Sequence, residues 1–179
     1  MSGAMDPPVP GQIALLALAV GLGAVVVWDV RERRIPNWLV ALIAAGGLSH
    51  AFVFGGGRGI GWAFVGGIVG LAILFLPAAA TLVGAADWKL AGALGTWCGA
   101  AGALYVALYG TVLNGLLALG ALLLLDRARR SEIWNNLVYA VMNRELAVPE
   151  PAKVQRARGV PFGVSLAICA MGVLFVRMG

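Results

Sequence analysis

Long uncharged apolar stretches alternate with short polar connections along most of this chain. The stretches are apolar on every face rather than striped, which is the pattern of helices that cross a bilayer, not of helices on a soluble core. The first runs from about Gly11 to Trp28 and ends at a basic turn, Arg31 to Asn37. Pro36 disfavours helical geometry at Ile35, and Asn37 is placed to cap the next helix. A second stretch covers about Trp38 to Phe54, and Gly55 to Gly59 reads as a loop. A third covers about Ile60 to Val83, with Pro77 as a kink and Gly66 and Gly70 as a small-residue pair for close helix packing. Gly84 to Asp87 reads as a short connection.

The interval from Leu90 to Leu125 carries no charge. As one helix it would extend about 54 Å, too long for a hydrocarbon core of about 30 Å. Two spans with a turn near Tyr109 to Gly115 are expected. Residues 126–160 form the long polar connection. Within it Ile133, Trp134, Leu137, Val138 and Val141 recur at helical spacing, so a helix lying along the membrane surface is expected, ended by Pro149 and Pro151. The last stretch runs from about Pro161 to Val176. The expectation is therefore an all-α polytopic integral membrane protein with about six transmembrane helices, in one domain over 8–179. Met1 to Pro7 looks like a cloning scar and is set aside.

Composition agrees with that reading. The chain of 179 residues is 61% hydrophobic, and its mean hydropathy is +0.91. In a soluble protein the formal net charge of +5 would point to nucleic acid. Here the basic residues fall between the apolar stretches, so they read as a topology signal, and no nucleic-acid partner is expected. With six spans, eleven Lys and Arg residues lie in loops on one side, and only Arg58 and Arg177 on the other. The positive-inside rule then makes the first side cytoplasmic and puts both termini outside. The first stretch has its basic cluster after it, the wrong polarity for a signal peptide. Cys98 and Cys169 lie in apolar stretches and read as packed thiols. There is no C-x-x-C pair, and His50 is the one histidine, so no metal site and no cofactor are expected. His50 reads as a structural residue near the outer face. Asn114, in an apolar run, is expected to hydrogen-bond between helices.

Among eight acidic residues, two stand out. Asp29 follows the uncharged stretch that ends at Trp28, and Asp87 follows the one from Gly59 to Ala86. Carboxylates at such positions are costly and call for a reason. Charge counting puts both on the cytoplasmic side, where they could meet. Two close carboxylates that share a proton can activate water: one takes a proton from it, and the other donates a hydrogen bond to the developing oxyanion. Simpler roles stay open. Asp29 could pair with Arg31 or Arg33, and Asp87 with Lys89. A non-catalytic assembly subunit or a small transporter would also fit an apolar chain, although a proton relay places its acids nearer the bilayer midplane.

The strings around the two aspartates resemble a known family. Asp29 followed by Arg33-Arg34-Ile35-Pro36-Asn37-Trp38 is similar to the first aspartate motif of type IV prepilin peptidases. Gly84-Ala85-Ala86-Asp87-Trp88-Lys89-Leu90 resembles their second motif, Gly-x-Gly-Asp-x-Lys. Val160-Pro161-Phe162-Gly163 resembles the start of their last helix. The likeness extends over nearly the whole chain after Pro7 and is greatest to the short form associated with tight-adherence (Flp-type) pili. It implies a membrane aspartic endopeptidase that removes the basic leader of a prepilin at the cytoplasmic face of the bacterial inner membrane, with Asp29 and Asp87 as the catalytic pair. Lys89 and Asn37 would then be substrate-binding or supporting residues, though a topological anchor and a helix cap are the plainer roles. The implied partners are the prepilin, the bilayer and pilus assembly proteins. Methylation of the new N-terminus is not expected, because the cysteine-rich region of longer relatives is missing. One residue departs from the pattern: Ala86 stands where the family has its second glycine, which puts any close approach or positive φ there in question.

Overall fold

The computed structural model describes residues 7–32, 34–79, 83–124 and 162–178, and all the elements in them are helices. Helix α1 is Gln12–Glu32, α2 is Asn37–Ala79, α3 is Ala85–Leu123 and α4 is Phe162–Met178. The chain divides into two units, Met1–Leu113 with Pro161–Gly179, and Asn114–Val160. Of the second unit only the last turns of α3 are described. The expected surface helix within 126–160 lies outside the described residues.

Three helices, α1, α2 and α3, are long and apolar enough to cross a membrane, and α4 is a shorter apolar helix. Ile13, Leu16 and Val20 on α1, and Phe175 and Val176 on α4, are exposed. Apolar surface on this scale is at home against lipid rather than water.

The two longest helices are each broken once. In α2 the break is Gly56, with φ 58° and ψ −149°, and in α3 it is Gly99, with φ 73° and ψ −179°. A side chain at either position would be strained, so glycine is what makes each break possible. Contacts show that each break reverses the chain. Trp97 Nε1 donates to Ile43 O at 2.8 Å, and Lys89 Nζ to Asn37 Oδ1 at 3.1 Å, so 37–55 runs parallel to 85–98. Gly66 lies against Gly95 and Gly99 while Gly70 lies against Ala91, so 57–79 runs antiparallel to 85–98. By the same logic Gly102 beside Val173 and Gly110 beside Leu166 set 100–113 antiparallel to α4.

The expected loop at Gly55 to Gly59 is found as a break at one residue. Pro77 sits within the last turns of α2 and does not interrupt it. The turn expected near Tyr109 to Gly115 is not there: α3 is helical through that interval and breaks at Gly99 instead. At about 1.5 Å per residue, 85–98 rises only about 20 Å. Halving an uncharged run by length therefore misplaced the turn, because the two arms are unequal.

The core of the first unit joins Leu18, Leu22 and Val25 of α1, Leu39, Val40 and Ile43 of α2, Leu90, Leu94 and Val106 of α3, and Leu166 and Leu174 of α4. The elements share two ends. At one end Arg177 of α4 donates to Cys98 O at 2.7 Å and Pro7 O at 3.1 Å, next to the Gly99 break. His50 belongs here too, stacked on Trp97 at 5.7 Å, consistent with a structural role away from the aspartates. Both cysteines are free thiols, and Cys98 is fully buried. The oxygen of Asn114 is buried without a hydrogen-bond partner, and the expected interhelical bond is not found among the described residues.

Candidate active site

The opposite end collects the C-terminal turn of α1, both ends of α2 and the N-terminal turns of α3 and α4. Asp29 and Asp87 are both there. Asp87 does not lie in the expected connection, and α1 runs on into the turn expected from Arg31. Helix α1 continues past Trp28 to Glu32, so Asp29 is helical, and α3 begins at Ala85, so Asp87 is in its first turn. The hydrogen-bonded helix outlasts the apolar run that predicted it, because backbone bonding does not stop where polarity begins.

The two carboxyl groups have different surroundings. Asp29 is 7% exposed, among the few buried polar residues of the described chain. Its carboxylate lies against the backbone of Gly163 on α4: a Cβ added there would stand 2.7 Å from Asp29 Oδ2 and 3.0 Å from Ile35 Cδ1. Asp87 is half-buried. The Gly84 backbone N–H donates to its carboxylate. A Cβ added at Gly84 would stand 2.9 Å from Asp87 Oδ2, so this carboxylate too is seated on a glycine. The charge of Asp29 acts on Asp87, which places the two groups within electrostatic reach of each other.

Lys89 and Asn37, named from the sequence as supporting residues, meet. The exposed Lys89 ammonium bonds to the Asn37 carboxamide oxygen, joining the start of α3 to the start of α2. Lys89 thus finds a partner other than Asp87. Asn37 is the first residue of α2, and the carbonyl of Pro36 before it accepts from Leu39 N and Val40 N. Pro36 therefore occupies the capping position expected of Asn37, and the Asn37 oxygen is turned to Lys89 instead. Arg33 lies outside the described residues.

Ala86 takes ordinary helical geometry in the first turn of α3, and its methyl packs beside the core. Positive φ is confined among the described glycines to Gly56 and Gly99. No positive φ is called for at position 86, which is helical. Around the site, Trp28 and Trp38 meet edge to face at 5.8 Å, and Trp88 Nε1 donates to Leu71 O at 2.7 Å beside Phe75. Tryptophans with a polar end and an apolar body suit the level of a membrane–water boundary. Among the described residues no group of three or more His, Cys, Asp or Glu side chains could hold a metal ion.

Sequence reasoning did not find the two seating glycines. Both lie in strings that resemble the family motifs; Gly84 is three residues before the aspartate it seats, but nothing along the chain says that Gly163, on another helix, touches Asp29.

The chain matches the model of the type IV leader peptidase family over residues 16–119, an interval that contains both aspartates. No curated protein and no solved structure matches the chain. Its apolar helices and its family together make it an integral membrane protein with peptidase ancestry. The match spans more than half of the chain, and the chain belongs to the type IV leader peptidase family.

Proposed function

We propose that this protein is an aspartic endopeptidase that removes the leader of a type IV, Flp-like prepilin, with Asp29 and Asp87 as its catalytic pair. The observation that carries the reading is that two aspartates from separate helices lie at one end of the bundle, within electrostatic reach of each other. Family membership supports a leader peptidase in general. The charge asymmetry of the loops supports a multi-pass topology of six crossings, with the aspartate end on the cytoplasmic side of the bacterial inner membrane. A basic leader would be held at that side, while the apolar pilin helix stays in the bilayer.

In this mechanism the pair holds one proton. The ionised carboxylate takes a proton from a water whose oxygen bonds to the scissile carbonyl carbon. The protonated carboxyl group hydrogen-bonds to the oxyanion that forms. The tetrahedral adduct then collapses, the C–N bond breaks, and the amine leaves with a proton from the pair. The titration belongs to both groups together, so neither is given one role. The reaction takes the scissile backbone out of helical hydrogen bonding, which a glycine before the pilin helix makes easier.

Co-expression with a Flp-type prepilin tests this. The parent protein is expected to shorten the prepilin by its leader, and Asp29→Asn and Asp87→Asn each to leave it intact. Processing at the parent rate by either variant refutes the assignment.

A further inference from the structure

We infer that Gly163, in the first turn of α4, is a positioning residue that seats the Asp29 carboxylate; the inference rests on the proposed role of Asp29. Gly163 is buried, and the space its missing side chain leaves is filled by Asp29 Oδ2 and Ile35 Cδ1. An alanine methyl at 2.7 Å from a carboxylate oxygen cannot be accommodated without movement, and the rigid partner is the helix backbone. The carboxylate has to give way. A second physical effect favours the same seat. The positive end of the α4 helix dipole lies at this turn and attracts a carboxylate.

The seat also explains why α4 matters to a site whose acids lie on α1 and α3. Helix α4 runs antiparallel to α1, with Arg177 beside Pro7 at one end and Gly163 beside Asp29 at the other. The C-terminal helix thereby sets where the first aspartate points. Gly172, on the same helix, has open space where its Cβ would be, so it is the matched control.

The test uses the purified full chain in lipid nanodiscs and a purified Flp-type prepilin that the parent cleaves. Gly163→Ala is expected to lower kcat about 100-fold, the scale of a misplacement near 1 Å, with KM little changed. Gly172→Ala is expected to match the parent. Ile35→Val added to Gly163→Ala removes the second crowding atom, Cδ1, but not the clash with Asp29. Thermal stability should then recover while kcat stays low. Recovery of kcat together with stability would show that Gly163 serves packing alone and overturn the inference. So would a parent-like kcat for Gly163→Ala, or failure of both Gly163 variants to fold, because positioning predicts a folded and impaired enzyme. If Asp29→Asn is inactive while Gly163→Ala is fully active, only this inference falls. If Asp29→Asn is active, the catalytic assignment itself falls.

Discussion

The helices that bring Asp29 and Asp87 together are held in opposite ways. Helix α1 carries Asp29 on a face packed by large side chains: Leu18, Leu22 and Val25 are all buried, and Ile43 of α2 lies against Gly21. The arm 85–98 carries Asp87 and packs against 57–79 almost backbone to backbone, through Gly66, Gly70, Ala91 and Gly95. One aspartate stands on interlocked side chains, and the other on a helix whose seam with 57–79 is drawn close by glycine and alanine. Within a bilayer, helices do not associate by hiding apolar surface from water. Close van der Waals packing must do that work, and small residues permit it. Both solutions place a carboxylate, but they fail to opposite changes.

Removing bulk should harm the first surface. Leu22→Ala is expected to lower stability by about 2–4 kcal/mol, read as thermal unfolding in a fixed detergent. Adding bulk should harm the second. A Cβ on Gly66 would run into the Gly95 carbonyl and stand 2.8 Å from the Gly99 backbone, so Gly66→Ala is expected to cost about 1–3 kcal/mol. A Gly66→Ala variant as stable as the parent would break the contrast.

Smaller effects sharpen the comparison at the site itself. The Lys89–Asn37 bond links the starts of α3 and α2 but is exposed, so its coupling energy in a cycle of Lys89→Met and Asn37→Ala is expected near 0.5 kcal/mol. A coupling several times larger would make it a principal fastener of the Asp87 arm. Ser165 on α4 is fully buried, and its hydroxyl has no hydrogen-bond partner. Ser165→Ala removes that unmet demand and is expected to leave stability within about 1 kcal/mol of the parent or slightly above it. A larger loss would point to a partner for the hydroxyl.

How much of this was legible along the chain follows from the physics of each feature. The membrane class and the two aspartates were legible, because charge is so scarce here that every carboxylate stands out. The Gly56 break was legible because three glycines in a row interrupt an apolar run. The Gly99 break was not. Gly92, Gly95, Gly99 and Gly102 all lie in one helix. Only Gly99 has positive φ, while Gly92 and Gly95 serve close packing. Composition cannot separate a glycine that turns the chain from one that admits a neighbour. The aspartates' sharing of one end was anticipated from charge, but the Gly163 seat of Asp29 depends on which helices touch, and that is decided by packing.

The central claim, that Asp29 and Asp87 act as one unit, is tested most directly by the cleavage rates of Asp29→Asn, Asp87→Asn and the double variant on one purified prepilin. Each single variant is expected to lose about 10⁴-fold or more, and the double variant no more than the worse single one, because either loss disables the same step. A single variant at the parent rate, or losses that multiply in the double variant, would contradict the account.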